Sequence, residues 1–479
     1  MTIIDQFINK MHNEHIGDKA ITVFTHYYSR LVAGETGLLP ENQILPVPGD
    51  TIDSFDKIHS TQSHAQVRSL LSKTVCIKLN GGLGTTMGLK GPKSLLPVKN
   101  DLTFLDITCR QIRAFNNSHD LKIPLLLMNS FRTESESHKI LARYPELRTS
   151  IPSSFLQHKF PKVRASDFTP VTYPQDTEME WNPPGHGDIY IALETSGILE
   201  KLLQADYRYA FISNIDNLGA TLDTEILAYI ESHSLPFLLE VTERTEMDRK
   251  GGHLARHKNG HLVLREAAQC PDESLNEFSN IDKYCFFNTN NLWIDLRALK
   301  DTLDKSEGFL DLPMIRNRKK VNPLDRHSDD VFQVESAMGA AISLFPKAAA
   351  LSVPRTRFAP VKNCNDLLLL WSDAFIIDTS SNIIPNPDRK HSVINVDLDP
   401  EYYSFINDLI SRFPFGAPSM IGCTTLTVRG DITFGKSVSL LDNVTLRNIS
   451  GKPENIADNS ILSGNHEFSS KGLTTCHYN

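Results

Sequence analysis

Four short apolar runs, each breaking off into glycine, asparagine, aspartate or other polar residues, restrict this chain more than any other feature of its sequence. TVCIKL at 74–79 runs straight into a glycine-rich loop, and IPLLLMNS at 123–130 ends on Asn and Ser. YAFISNIDN at 209–217 ends on Asn and Asp, and FLLEVTER at 237–244 is a further run of the kind. Apolar runs of this length read as buried strands. Helical patterns lie between them, for example ESHKILARYPEL and TLDTEILAYIESH. Strand–helix alternation predicts an α/β fold with a mostly parallel sheet covered on both faces. Such sheets bind ligands at the carboxyl ends of their strands, where the polar clusters of this sequence sit.

The loop after the first run reads LNGGLGTTMG at 79–88, then LKGPKS at 89–94. Glycines permit positive φ and let backbone N–H groups approach a phosphate with no Cβ in the way. Lys93 adds a full positive charge. Neither the G-x-x-x-x-G-K-[ST] spacing nor G-x-G-x-x-G fits any register here. A tight structural turn accounts for many glycine-rich loops, but the position between a strand and Gly-Pro-Lys favours phosphate binding. Lys+Arg 49 against Asp+Glu 57 gives a net charge of −8. A mildly acidic chain is a poor general binder of nucleic acid or anionic membranes, so anions must be met locally.

At 479 residues the chain has room for about three units. Ile4, Phe7, Ile8 and Met11, then Val23, Tyr27, Leu31 and Val32, mark helical faces in the first 45 residues. LLPENQILPVPGD at 38–50 carries three prolines and reads as a connector. From about Gly422 the helical period vanishes. LTVRGDITFGKSVSLLDNVTL reads as a short β-solenoid with rungs near Val428, Ile432, Val438 and Val444, or as a fragment of an antiparallel sandwich. The boundaries expected are 1–50 for a helical segment, 51–400 for a catalytic domain and 401–479 for a linker and β domain. The tail HEFSSKGLTTCHYN departs from a clean β repeat.

Seven cysteines, odd in number and without a CxxC pair, argue against a disulfide framework or a cysteine zinc site. The amino terminus lacks the apolar core of a signal peptide, and the longest apolar runs, such as 367–371, are too short to span a bilayer. A cytoplasmic location with no nucleic-acid or membrane partner is the expectation. His253, His257 and His261 recur every fourth residue, but the flanking glycines point to a β-hairpin with exposed histidines, not a metal stripe. NRKKVNPLDR reads as a solvated basic loop.

LNGGLGTTMG followed by KGPKS resembles the signature of the UDP-glucose pyrophosphorylase family, also called UTP–glucose-1-phosphate uridylyltransferases. Asn80 before the glycines and Thr86 in the loop favour this branch over the UDP-N-acetylhexosamine enzymes. WNPPGHGDIY at 181–190, FISNIDNLGA at 211–220, KGGHLAR at 250–256, EAAQCP at 266–271, FFNTNNLWIDL at 286–296 and RFAPVKNCNDLLLL at 357–370 resemble further family motifs. They occur in the right order, and the resemblance spans essentially the whole chain. It implies a Rossmann-like mixed sheet, a C-terminal left-handed parallel β-helix, and the reaction UTP plus glucose 1-phosphate giving UDP-glucose plus pyrophosphate. A broader UDP-sugar or UDP-N-acetylhexosamine pyrophosphorylase is the alternative, and a fold that has lost catalysis is a further one.

The resemblance also assigns residues. Leu79, Asn80, Gly81, Gly82, Lys93, Gln157, Gly185, Asp216 and Lys362 fall on the UTP side. Gln157 reads the uracil edge, for which an amide supplies donor and acceptor together. His186, Asn214, Gly252, Glu266, Asn288 and Asn290 fall on the sugar-phosphate side, and Glu335 matches a family position. Asp216 suits Mg²⁺, which takes its other ligands from phosphates and water; from sequence alone, a turn or a helix N-cap explains it about as well. Lys93 and Lys362 are the catalytic candidates, as electrostatic stabilisers and not as bases. Homo-oligomers through the C-terminal β region are a further implication.

Overall fold

The computed structural model describes residues 2–89, 91–306, 308–323 and 325–469, and the backbone of 472–476. The period-two alternation of its central strands decides how the chain is layered. Val75, Ile77 and Leu79 of strand Thr74–Asn80 pack with Ile189, Leu193 and Leu199 on one face of the sheet. Cys76, between them, packs with Phe104, Ile107 and Cys109 on the other. Leu126 and Met128 against Leu125 and Leu127 repeat the division, as do Ala210 and Ile212 against Tyr209 and Phe211. A strand buried on both faces needs helices on both, and each large aliphatic side chain so buried contributes about 1.5–3 kcal/mol.

Along the sheet the strands run Asp53–Ser54, Ala349–Ser352, Phe237–Glu243, Phe286–Asp295, Tyr209–Asn214, Thr74–Asn80, Leu125–Asn129 and Ser154–Leu156. Neighbours are parallel except at Phe286–Asp295, which is antiparallel to both of its partners. This is the mostly parallel α/β sheet that the alternation predicted, with the mixed character that the resemblance implied. From Thr74–Asn80 the chain crosses by helix Phe104–His119 to one side of that strand. It later returns through helices Ile189–Thr195 and Ile198–Gln204 to Tyr209–Asn214 on the other side. The carboxyl ends of Thr74–Asn80 and Tyr209–Asn214 therefore diverge into loops that leave in opposite directions, and a crevice opens between them.

Helices Ile3–Asn13 and Asp18–Val32 bury Phe7, Met11, Val23, Tyr27 and Leu31. They pack on Phe160, Trp181 and Val334. The connector at 38–50 is more ordered than its prolines suggest. Its segment Ile44–Pro46 pairs antiparallel with Ala255–His257, at a sheet edge where a missing proline N–H is tolerated. The histidine hairpin is present as His253–His257 against Leu262–Arg265, but His253 is fully buried, stacked at 3.9 Å on Tyr284. The first four residues of the basic run, 317–320, are strand: Ile315–Lys320 pairs with Asp330–Glu335, which places Glu335 at a strand end and not on a helix.

In the C-terminal part, Asn395–Leu398, Ser419–Arg429, Ser439–Asn448 and Ile461–Ser469 pair in parallel, each with the next. Ile432–Phe434 pairs in parallel with Glu454–Ile456. The last pair, Ile461–Ser469 with Gly472–Cys476, is antiparallel. Val428, Ile432, Val438 and Val444 are all buried. One apolar core runs from helix Phe104–His119 through helix Cys364–Trp371 into these strands. Among the described residues no helix is long and apolar enough to cross a membrane. Cys76, Cys109, Cys270, Cys285, Cys364 and Cys423 are free thiols, and the Cys476 side chain lies outside the described residues.

Candidate active site

The crevice between the two diverging strands is a cleft of about 290 Å³. Leu79, Gly81, Gly82, Lys93, Gln157, Gly185, His186, Asn214 and Asp216 line it, with Met128, Pro183 and Ile215. Residues from four separate motifs are thus brought to one place. Lys93 Nζ stands 2.5 Å from Asp216 Oδ2, both side chains largely buried. Asp216 does not cap the following helix Thr224–His233; Asp223 does so, accepting from the N–H groups of Glu225 and Ile226. Asp216 does sit in a turn, closed by the Asn217 N–H on the Asn214 carbonyl oxygen at 3.2 Å, and its side chain makes an ion pair across the cleft.

Gly81 lies close against the Gln157 amide, the far end of a flexible side chain. A Cβ there would lie 2.6 Å from Gln157 Nε2. Gly185 has φ +82 and would place a Cβ 2.4 Å from the Ser336 carbonyl oxygen, so no other residue fits without strain. Gly81→Ala should push the Gln157 amide aside; where that amide reads uracil, as the resemblance implies, the KM for UTP rises roughly tenfold with a smaller change in kcat. Steady-state kinetics at saturating glucose 1-phosphate read this directly.

His186 Nδ1 accepts the Met338 backbone N–H at 2.9 Å. The neutral ring therefore carries its proton on Nε2, a donor. Burial pushes the His186 pKa down to about 4. The imidazole is thus a neutral donor throughout the physiological range. Nitrogen-15 spectra of the ring should show the Nε2–H tautomer unchanged from pH 8 to about pH 5; titration near 6.5 would contradict it. Asp188, buried two residues on, accepts from the His158 N–H at 2.7 Å and lies 2.9 Å from His158 Nδ1. This ties the Gln157 segment to the Gly185–His186 loop.

A second group of predicted residues forms a wall nearby. Strand Phe286–Asp295 shifts register against Phe237–Glu243, so that Glu240 faces Asn291 and Val241 faces Asn288. Thr289 and Asn290 form the resulting bulge, and Asn290 takes φ 56. Asn288 Nδ2 donates to Asn290 Oδ1 at 2.9 Å and to Glu266 Oε1 at 3.4 Å. Gly252 leaves room for Glu266: a Cβ would lie 2.6 Å from Oε2. Burial raises the Glu266 pKa, while the Asn288 amide and the Lys362 charge oppose the rise.

Lys362 is exposed, with Nζ 5.3 Å from the Phe287 ring centroid and 5.5 Å from that of Phe358. Its backbone is pinned by a helix start. Asn363 and Asp366 form the capping box of Cys364–Trp371, and Asp366 Oδ2 also accepts the Lys362 N–H at 2.6 Å. Asn80 differs from the other predicted residues. Its side chain is fully buried and donates at 2.7 Å to both Asn129 Oδ1 and Ser137 Oγ, beneath the cleft.

Residues 21–441 match the family model for UTP–glucose-1-phosphate uridylyltransferase. The chain belongs to the UTP–glucose-1-phosphate uridylyltransferase family. It is similar to the enzyme of that name from Solanum tuberosum, at 38% identity over 442 residues, covering 92% of this chain and 90% of that one. Among solved structures, a UDP-glucose phosphorylase from Trypanosoma brucei is 45% identical with a TM-score of 0.89, covering 96% of this chain and 98% of that one. A variant of UDP-glucose pyrophosphorylase from Leishmania major, in complex with UDP-glucose, is 39% identical with a TM-score of 0.91, covering 98% and 99%.

Membership in the uridylyltransferase family makes this chain a nucleotidyltransferase. Its motif reading passed over the residues that hold the motifs together. Asn129, Ser137 and Asp188 support the cleft from below, and Asn217, Glu240 and Arg357 form a buried polar cluster behind it. The endings of IPLLLMNS and NIDN were the available signals. The pairing of Glu240 with Arg357 had none, because the two are distant in sequence.

Proposed function

We propose that this chain transfers a uridylyl group, converting UTP and glucose 1-phosphate to UDP-glucose and pyrophosphate reversibly. The observation that carries this reading is the Lys93–Asp216 pair at 2.5 Å, in a cleft that also holds Gly81 and Gln157 and adjoins the Glu266–Asn288–Asn290 wall. A phosphate-binding end, a base-reading amide and a hydroxyl-binding wall are the three parts the reaction needs.

In this reading the glycine loop receives the triphosphate and Lys93 moves from Asp216 onto it. Asp216 would hold Mg²⁺ with the phosphates. The residues fit: one carboxylate suffices for an ion that brings phosphate and water ligands, and an ammonium already stands on that carboxylate. When bound, Mg²⁺ supplies positive charge to the phosphate oxygens. Gln157 reads uracil. His186 and Asn214 hold the sugar phosphate, and Glu266, Asn288 and Asn290 hold the sugar hydroxyls. A phosphate oxygen of glucose 1-phosphate attacks the α-phosphorus of UTP, and the bond to pyrophosphate breaks in line. Lys362 stabilises the developing charge.

Three further features belong to this reading. The parallel stacking of the C-terminal strands supports a left-handed β-helix within a 401–479 unit, beside a 51–400 catalytic unit and a 1–50 helical segment. Self-association through that β region is testable by sedimentation; side chains 470–479 of the tail lie outside the described residues. Six free thiols support a reducing, cytoplasmic setting.

Pyrophosphate release from UTP and Mg²⁺ with glucose 1-phosphate, beside galactose 1-phosphate and N-acetylglucosamine 1-phosphate, tests the proposal. Fast release with glucose 1-phosphate alone supports it. Comparable rates with all three favour a broader UDP-sugar enzyme. Silence with all three overturns it.

A further inference from the structure

Behind the cleft, the strand end carrying Asp216 and the loop carrying Lys362 are joined by a dense set of contacts. Asn217 Nδ2 donates to the Arg357 carbonyl oxygen at 3.1 Å, and Asn217 Oδ1 accepts the Ala359 N–H at 3.0 Å. Asn217 also bridges to Pro360, and the Val361 N–H reaches the Asp216 carbonyl oxygen at 3.3 Å. Gly219 lies so close to the loop that a Cβ would stand 2.2 Å from the Thr356 carbonyl oxygen. The backbone of residues 216–219 is thus laid against that of 356–361.

The loop is held in turn by a buried charge. Arg357 Nε and Nη2 meet the two carboxylate oxygens of Glu240 at 2.8 and 2.7 Å, with both residues buried. Trp293 Nε1 and Asn291 Nδ2 satisfy the same carboxylate at 2.9 and 3.1 Å. Asn291 then closes the circuit. Its Oδ1 accepts from Asn217 Nδ2 at 3.1 Å, and its Nδ2 also lies 3.2 Å from the Arg357 carbonyl oxygen. A bidentate pair with its remaining lone pairs filled fixes orientation as well as distance. None of these polar side chains lines the cleft.

We propose that Asn217, with Gly219 and the Glu240–Arg357 pair behind it, is a positioning element that sets Lys362 against Asp216. The two reactive charges come from segments about 146 residues apart, counting from 216 to 362, and Lys362 itself is exposed and free of any ion pair to Asp216 among the described residues. The ammonium rests over the Phe287 and Phe358 rings, and the backbone from which it extends is set by Asn217 on one side and Asp366 on the other. A misplacement of about 1 Å at such a group costs roughly 10²-fold in rate.

The inference rests on Lys362 acting on the phosphates as proposed above, and a double-mutant cycle separates the two. Asn217→Ala should lower kcat about 10²-fold and leave the Kd for UTP, measured by calorimetry, within about threefold. Adding Lys362→Ala to it should cost little beyond Lys362→Ala alone, because the asparagine acts through the lysine. Asn217→Ser, which keeps a small polar side chain, carries the same cycle if Asn217→Ala does not fold. Losses that multiply, or UTP affinity that falls in step with turnover, would overturn the positioning role while leaving Lys362 in place. A Lys362→Ala enzyme as fast as the wild type would remove the reading of Lys362 and this inference with it.

Discussion

Replacing Lys362 by alanine should lower turnover by roughly 10³-fold while UTP affinity changes by no more than about threefold. The separation follows from where the side chain stands. Lys93 is already inside the cleft and paired, whereas Lys362 sits at the edge, over the rings of Phe287 and Phe358 and within electrostatic reach of Glu266. In the proposed reading, a cation beside Glu266 does little for a nucleotide bound alone. It does most when the sugar phosphate brings two further negative charges against the α-phosphate and charge develops on the equatorial oxygens. A charged group fixed in advance needs no reorganisation at that moment. Pre-steady-state release of pyrophosphate, with calorimetry of UTP binding, distinguishes the outcomes. A parallel loss of affinity and rate would make Lys362 a binding residue only.

The same placement shows what was legible in the sequence and what was not. Strand Thr74–Asn80 and its glycine loop were plain, because two-residue periodicity and glycine conformation are local properties. Gly185 and Asp216 were found as parts of motifs, and their distance from Lys93 and Gln157 came from the sheet. His253 was misjudged for a related reason. In a hairpin an outward and an inward histidine read alike, and only the packing of Tyr284 and Phe278 on the ring decides that this one is buried. Its neutral form follows, since burial pushes its pKa down to about 3. Pro46 disguised an edge strand as a connector. The Glu240–Arg357 pair was beyond sequence reasoning altogether. A glutamate inside FLLEVTE and an arginine before FAPVK each look like solvated charge until the fold buries them together.

Asp216→Asn should abolish more than 99% of activity, on the order of the 10²–10³-fold losses that follow removal of one fixed electrostatic partner, and should flatten the Mg²⁺ dependence of what remains. The substitution keeps the size and one oxygen of the side chain, so the strand end and the Asn217 contacts have no steric reason to move. Two things change. The carboxylate that would hold the metal loses its charge, and Lys93 loses the partner that holds it at 2.5 Å in the free enzyme. The second change by itself should help nucleotide binding, because Lys93 no longer has to leave a carboxylate to reach phosphate. UTP affinity without metal should therefore rise or stay level while Mg²⁺-dependent turnover collapses, an opposition that general misfolding cannot produce. The pair is largely buried, so the substitution leaves the Lys93 ammonium without its partner and should lower the melting temperature. Calorimetric titration of UTP with and without Mg²⁺, beside a Mg²⁺ titration of turnover, reads both effects. A variant whose Mg²⁺ titration matches the wild type would place the metal on another ligand. A variant that loses metal-free UTP binding would show that the Lys93–Asp216 pair shapes the cleft and does not compete with the substrate for the lysine.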